Sequence, residues 1–407
     1  MANEEEQRSD GRIHFEDRLD EGPALKKIAV LTGGGDCPGL NNAIKQIVKS
    51  ALGKFDVAGI TEGWLGAIQI SLRPDSRTMN TYTTHLTEEA VRRVDREGGT
   101  MLMTSRENPF KYTDAELNLL NADVSDAVLK RLNDLYYAIV VIGGEDTLGA
   151  AGKLAQKGLR VIGVPKTIDK DLCGTQYTLG FDTALNVANS GLRQLRSSAG
   201  SHGMVFFVEI MGRRAGHLTY HAGMASNVHY MTIPEVETDL DGLFKLIHER
   251  KPARYPGYHR DGRRYTMVAV AEGTRIKGIG EILKDRKLDQ HGNPVLGDVT
   301  EYIVKEYIAR TGDRLARSMA LRYLPRSGEP SAQDSIRGIK AGKKALDLIL
   351  RAEFGRMVSI TLEGADDVPL ADVIGRIRVL DAQVCYDSDN FRPVIGNKFF
   401  HEREIAK

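Results

Sequence analysis

The chain is poor in the features that staple, anchor or strongly charge a protein. Three cysteines, Cys37, Cys173 and Cys385, stand among 407 residues. They are too few and too scattered for a disulfide framework or a zinc site, so buried or incidental thiols are expected. No apolar run approaches the ~18 residues of a spanning helix, and the first residues lack the basic, apolar and small-residue order of a secretory leader. A membrane partner is therefore not expected, and a cytoplasmic location is. An excess of one charge is also missing: 56 basic and 55 acidic residues leave a formal net charge of +1. That leaves no electrostatic case for nucleic acid or a membrane surface as the main partner. What the chain does have is glycine, 42 in all, repeatedly placed just after a short apolar run.

The length exceeds what one hydrophobic core usually serves, so two domains are expected. Residues 1–25 are polar and acid-rich, with no apolar periodicity, and read as a loosely docked extension. From Lys26 onward, apolar runs and helical stripes alternate almost throughout, which predicts two doubly wound α/β domains, the second beginning near Asp182.

The stretch from Val141 to Leu185 carries the most opposed charge. Ala138 to Ile142 reads as a buried strand that empties into Gly143-Gly144-Glu145-Asp146. A helix follows, with Leu148, Ala151, Leu154 and Ala155 on one face and Gly158 as its stop. Val161 to Val164 is then a second strand, leading into Lys166-Thr167-Ile168-Asp169-Lys170-Asp171. A βαβ unit of this kind puts both strand ends on one rim of a parallel sheet, so the acids and lysines share a crevice. Such turns suit phosphates and a metal ion.

Other turns repeat the arrangement. Lys26 to Leu31 runs into Thr32-Gly33-Gly34-Gly35-Asp36 and a helical stripe of Leu40, Ala43, Ile44, Ile47, Val48, Ala51 and Leu52, with Asp36 as a plausible cap. This glycine turn is neither a P-loop nor the spaced glycines of a dinucleotide fold. Arg106 ends a polar loop and could fork to a phosphate. Asp182 is placed to cap a helix running to about Leu195. Met204 to Ile210 leads into Met211-Gly212-Arg213, Ile233-Pro234 into Glu235, and Thr266 to Ala271 into Glu272-Gly273. Arg317 to Leu321 reads as extended, before the basic turn Arg322-Tyr323-Leu324-Pro325-Arg326 and a long helix starting near Ser331.

Taken in order, these turns resemble the phosphofructokinase family. The matching signatures are Gly-Gly-Asp-Cys-Pro-Gly-Leu-Asn at 34–41, Gly-Gly-Glu-Asp-Thr at 143–147 and Pro-Lys-Thr-Ile-Asp-Lys-Asp at 165–171. Gly-Phe-Asp-Thr-Ala at 180–184, Met-Gly-Arg at 211–213 and Pro-Glu at 234–235 continue the series. The resemblance implies two Rossmann-like domains with the active site in the cleft between them. Residues 26–181 plus about 325–380 would bind the phosphoryl donor, and 182–324 plus about 381–407 the sugar phosphate. Asp169 matches the family's general base toward a sugar 1-hydroxyl, with Thr167, Ile168 and Asp171 holding the sugar. Gly35 and Arg106 would contact the donor phosphates, and Glu145 would hold Mg2+. Arg213 would stabilise the transferred group, while Met211, Gly212, Glu235 and Tyr323 would line the sugar site. Arg326, and Arg317 from a neighbouring subunit, would bind the sugar 6-phosphate, in at least a homodimer or a homotetramer.

The donor turns on two positions. ATP-using members commonly have glycine where Asp146 stands, and often where Lys166 stands. A carboxylate at Asp146 would repel an ATP α-phosphate, a like-charge contact that costs on the order of several kcal/mol, while Lys166 would neutralise a smaller donor. Inorganic pyrophosphate is therefore the expected donor and fructose 6-phosphate the expected acceptor. Three positions depart from the family pattern. Lys170 replaces a usual asparagine and adds positive charge beside Asp169, Met204 stands where an arginine is common, and Tyr323 where a histidine is frequent. They leave open another sugar phosphate such as sedoheptulose 7-phosphate, or a regulatory subunit that binds sugar phosphate without catalysis; an ATP-dependent kinase of the same fold is the other alternative.

Overall fold

The computed structural model describes residues 25–250, 265–288, 294–396 and 402–407; the polar extension before Leu25 lies outside the described residues. Strand β1 (Lys27–Gly33) opens the fold, followed by helix α1 (Leu40–Ala51), β2 (Asp56–Ile60) and β3 (Thr83–His85). Next come β4 (Ala138–Gly143), α2 (Glu145–Gln156) and β5 (Val161–Pro165). The long α3 (Phe181–His202) leads to β6 (Val205–Ile210), α4 (His217–Ser226), β7 (Tyr230–Thr232) and β8 (Thr266–Ala271). After α5 (Val299–Thr311) and β9 (Ala316–Ala320) come α6 (Ala332–Leu350), β10 (Arg356–Ile360), β11 (Ala365–Pro369), β12 (Arg376–Leu380) and β13 (Glu402–Ala406).

Strands β1 to β11 build two main sheets, and β12 pairs with β13 apart from both. The larger has seven strands in the order β11-β10-β5-β4-β1-β2-β3. Its five inner strands are parallel, and antiparallel β3 and β11 close its edges. The smaller has four strands in the order β9-β6-β8-β7, all parallel. Every residue of β4 is buried, which is why its sequence is continuously apolar: helices cover both faces of a parallel sheet. The α/β class and parallel sheets follow the expectation, and the β4-α2-β5 unit forms as read.

One apolar cluster runs from Ile28 and Val140 in the larger sheet to Phe206 and Val208 in the smaller. Helix α3 carries it across, with Phe181, Ala184, Ala188 and Leu192 buried along one stripe. No described helix is long and apolar enough to cross a membrane.

Several local expectations need correction. Asp36 does not cap α1: Gly39, at φ 100°, takes the N-cap position with no side-chain bond, and Leu52 falls beyond the helix, exposed. Asp182 does not cap α3 either. Gly180, at φ 96°, is the N-cap, and Asp182 lies in the first turn, where it accepts from Ser331 Oγ at 2.6 Å. Helix α3 also continues past Leu195 to His202, because Ala199 is still buried against the core. Ser331 does cap α6, accepting from Asp334 N at 3.2 Å.

Helix α6 lies close along α1. A Cβ added at Gly342 would sit 2.5 Å from the Ala43 carbonyl oxygen. Alanine for glycine inside a helix ordinarily stabilises by about 1 kcal/mol. At this crossing the sign should reverse: Gly342→Ala should lower stability by about 1 to 3 kcal/mol through overpacking, read as a lower urea midpoint with an unchanged slope.

Candidate active site

Three strands of the larger sheet end level. Gly33 pairs with Gly143 and Gly143 with Pro165, so the turns after β1, β4 and β5 leave one rim together. The glycine turn, Glu145 with Asp146, and the loop from Lys166 to Asp171 all stand there.

Lys166 is fixed at both ends. Its backbone N donates to the Gly143 carbonyl at 2.9 Å, and its buried ammonium hydrogen-bonds the Gly35 carbonyl. Arg326 comes in against the same turn, with NH1 3.3 Å from the Asp36 carbonyl. A Cβ at Gly35 would lie 2.2 Å from that guanidinium, so a larger residue there would push Arg326 away from the turn. Gly34 N donates to Ser105 O at 2.8 Å, and Thr104 Oγ1 donates to Gly34 O at 2.6 Å. Those bonds hold the loop that carries exposed Arg106 beside the glycine turn. Burial pushes the Lys166 ammonium down to about 8, Arg326 adding to the effect. Burial also pushes the Cys37 thiol up to about 12, so it stays protonated, donating to Leu179 O at 3.3 Å. All three cysteines are buried and free.

Asp169 is buried, and its Oδ1 has no hydrogen-bond partner among the described residues. Its backbone N donates to Thr167 Oγ1 at 3.0 Å, which orients the loop. Ile168 beneath it belongs to the apolar core. Burial pushes Asp171 up to about 7; the Asp169 charge adds to this, while a Thr167 hydrogen bond and the Arg213 charge oppose it. Lys170, in the left-handed region at φ 57°, is wholly buried, with its ammonium 2.7 Å from Glu402 Oε1. Burial lowers it to about 8, against the pull of Glu402. Arg378 completes the anchor: it pairs with Glu402 Oε2 at 3.2 Å, donates to Lys170 O at 3.1 Å, and gives its backbone N to Asp171 O at 2.8 Å.

The smaller sheet supplies a second rim, where Ile210 pairs with Ala271. Glu272 follows β8 and gathers the turn after β6: its Oε1 accepts from Gly212 N at 3.1 Å and Arg213 N at 2.7 Å. Burial raises Glu272, and the charge of Asp169 raises it further. Arg213 in turn acts on Asp146 and Asp171. Strand β12 ties the two rims together, with Arg378 N donating to Asp171 O at 2.8 Å on one side and Leu380 N to Glu235 Oε1 at 3.1 Å on the other. Met211 packs against the apolar core. Glu235 Oε1 accepts from Gly216 N at 2.8 Å and Leu380 N at 3.1 Å, while its buried Oε2 has no partner among the described residues. Arg317 is exposed on β9, its NH1 bonded to Arg314 O and Ala316 O at 2.9 and 2.7 Å. The Tyr323 side chain is exposed, its carbonyl accepting from Arg326 N at 2.9 Å, and Met204 packs against the core.

Two groups of residues are candidates for holding a cation. Glu145 and Asp146 occupy the first turn of α2, where the helix dipole favours negative charge. Both reach a single ammonium, that of Lys407: Asp146 Oδ1 at 2.6 Å, and Glu145 through Oε2. Two carboxylates that converge on one cation fit the hard oxygen ligands that Mg2+ takes, with waters completing its shell. The second group, His217, His221 and Glu402, places its ligand atoms within 4.8 Å of one another. It is not a metal centre, because Lys170 and Arg378 already hold both Glu402 oxygens and their charge would repel a metal ion.

The sequence reading missed Glu272, Arg378, Glu402 and Lys407. Glu272 had a signal, an acid and a glycine directly after an apolar strand. The other three had none, since only the strand pairing β12 to β13 brings the chain end to this rim.

The Lys166 environment has a consequence for stability. Its folded value, about 8, lies below the ordinary 10.5. Between these values the unfolded chain binds more protons, so this group makes stability rise with pH in that window. Lys166→Met should make that rise smaller, with Lys170 supplying the remainder, measured as the change in urea midpoint from pH 8 to pH 10 in the native protein and the variant.

Comparison with known proteins agrees with the geometry. The family model described as Phosphofructokinase matches residues 27–349. A pyrophosphate--fructose 6-phosphate 1-phosphotransferase of Dictyoglomus thermophilum is 41% identical over 348 residues, 84% of this chain and 91% of the relative. An ATP-dependent 6-phosphofructokinase of Corynebacterium efficiens is 34% identical over 354 residues, 86% of this chain and 94% of the relative. In fold, a pyrophosphate-dependent phosphofructokinase of Nitrosospira multiformis superposes with a TM-score of 0.71 at 16% identity, covering 91% of this chain and 89% of that one. Six ordered turn signatures, two sheet rims across one cleft and these relatives lead to one conclusion: the chain belongs to the phosphofructokinase family of phosphotransferases.

Proposed function

We propose that the chain transfers a phosphoryl group reversibly from inorganic pyrophosphate to the 1-hydroxyl of fructose 6-phosphate, giving fructose 1,6-bisphosphate and phosphate. The observation that carries this reading is the pair of charges at the donor end. Lys166 is a buried ammonium fixed on the glycine turn, and Asp146, which stands where the family resemblance sets glycine in ATP-using members, adds an exposed carboxylate on the neighbouring turn. Together they favour a small, highly charged donor over a nucleoside triphosphate. The relative at 41% identity, itself named for pyrophosphate, supports the same reading.

The steps follow from the side chains. Asp169, with a buried carboxylate oxygen that has no hydrogen-bond partner among the described residues, accepts the proton of the sugar 1-hydroxyl as that oxygen attacks the donor. Thr167 and Asp171 align the sugar. Arg213, held by Glu272, meets charge on the transferred group, and Lys166 meets charge on the departing phosphate. Gly35 and Arg106 contact the donor. Glu145 and Asp146 would hold Mg2+, which supplies charge neutralisation on the phosphates. Met211, Gly212 and Glu235 shape the sugar pocket. Arg326, Tyr323 and Arg317 of a neighbouring subunit complete it, in a homodimer or homotetramer acting in the cytoplasm. Residues 26–181 with about 325–380 form the donor domain, and 182–324 with about 381–407 the sugar domain. Donor and product differ little in free energy, so the reaction runs in both directions.

A coupled assay with pyrophosphate and with ATP, each at millimolar level, tests the donor: turnover with pyrophosphate is expected, and turnover with ATP alone would overturn it. Asp146→Gly combined with Lys166→Gly should impair pyrophosphate use; an unchanged rate would remove the assigned roles. Asp169→Ala should lower kcat about 100- to 10,000-fold, the range of a general base, while sugar phosphate binding, followed by calorimetry, persists. A regulatory subunit would show no such loss.

A further inference from the structure

Lys407 is the residue no other consideration explains. Strand β13 pairs antiparallel with β12, from Leu380 opposite Glu402 to Arg376 opposite Ala406. The backbone N of Lys407 then donates to Gly375 O at 2.9 Å, which fixes the residue at the end of the ladder. Its ammonium crosses to the first turn of α2 and meets Glu145 and Asp146 together. The Glu145 side chain is only 12% exposed there, so the lysine covers the approach to that carboxylate.

We infer that Lys407 is a donor-site residue: a tethered counter-ion that occupies the carboxylates of the metal site until a divalent cation displaces it. This rests on reading Glu145 and Asp146 as the metal ligands. A univalent ammonium and a divalent ion cannot hold the same two oxygens at once, since each would repel the other at contact distance. The lysine is delivered by its own strand, so its effective concentration at the acids is high although each contact is weak. Its displacement frees only the side chain, because the ladder and the bond to Gly375 still hold β13, whose other end carries Glu402 against Lys170. Lys407 thus sets how readily the cation enters, and keeps Glu145 and Asp146 from repelling each other in its absence.

The experiment is Mn2+ binding to the full chain, followed by the electron paramagnetic resonance signal of free Mn2+, without and with pyrophosphate. Lys407→Gln should tighten Mn2+ binding about fivefold, the scale of one or two exposed ion pairs. Lys407→Arg, which keeps the charge, should bind as the native protein does. Glu145→Gln should weaken binding in both backgrounds. A single cooperative denaturation transition in Lys407→Gln shows that the variant is folded. Equal or weaker Mn2+ affinity in Lys407→Gln, with Glu145→Gln still weakening it, would overturn the inference and leave the metal site standing. Native-like affinity in Glu145→Gln, or no Mn2+ binding to any variant even with pyrophosphate, would overturn the metal assignment itself and the inference with it.

Discussion

The structure depends on a register. Gly33, Gly143 and Pro165 end three neighbouring parallel strands at the same height. Parallel pairing with helices on both faces forces the strands to be apolar along their length and leaves chemistry only to their ends. Each end is a turn of different character: glycines that let cations close on the backbone, acids on the first turn of a helix, and a loop of alternating lysine and aspartate. A second rim, set by Ile210 and Ala271, brings Arg213 and Glu272 across the cleft. Helix α3 ties the two sheets through one continuous core, so the rims keep their spacing without a separate interface.

On that frame the site is an arrangement of charge held away from water. Lys166 and Lys170 are both buried, and each is given a fixed partner, a carbonyl for one and a carboxylate for the other. Burial of an ammonium without such a partner would neutralise it. Asp171 and Glu272 are raised by burial and by the charge of Asp169, so acids and cations are pressed together at the sheet rims. Preorganised charge of this kind acts at the moment of phosphoryl transfer without waiting for solvent to rearrange. The Lys170–Glu402–Arg378 group explains a departure from the family pattern: a lysine in place of asparagine is tolerated because the chain end supplies its carboxylate.

Much of this was legible in the sequence. Apolar runs marked the strands of the two rims, and those of β1, β4, β6 and β8 ended in turns with glycine, because a buried parallel strand cannot hide its composition and a tight turn after it needs small residues. Helix starts were less legible. Asp36 and Asp182 look like caps, yet Gly39 and Gly180 take those positions in left-handed conformations, because the chain enters each helix from a tight turn that a side-chain cap does not suit. Glu272 stood in plain sight as an acid after a strand, and its role emerged only when its two bonds to the Met211–Arg213 turn became visible.

What the sequence determined by itself was the order of strands and turns, the family they resemble and the identity of the central loop, since these follow from local periodicity and from residues adjacent in the chain. What only the tertiary structure decided was who meets whom across distance: Arg326 against Gly35, Glu402 with Lys170, and Lys407 over Glu145 and Asp146. Those pairs are separated by more than two hundred residues. They form because strand register and core packing fold distant segments onto one rim, a relation with no local signature for a sequence to carry.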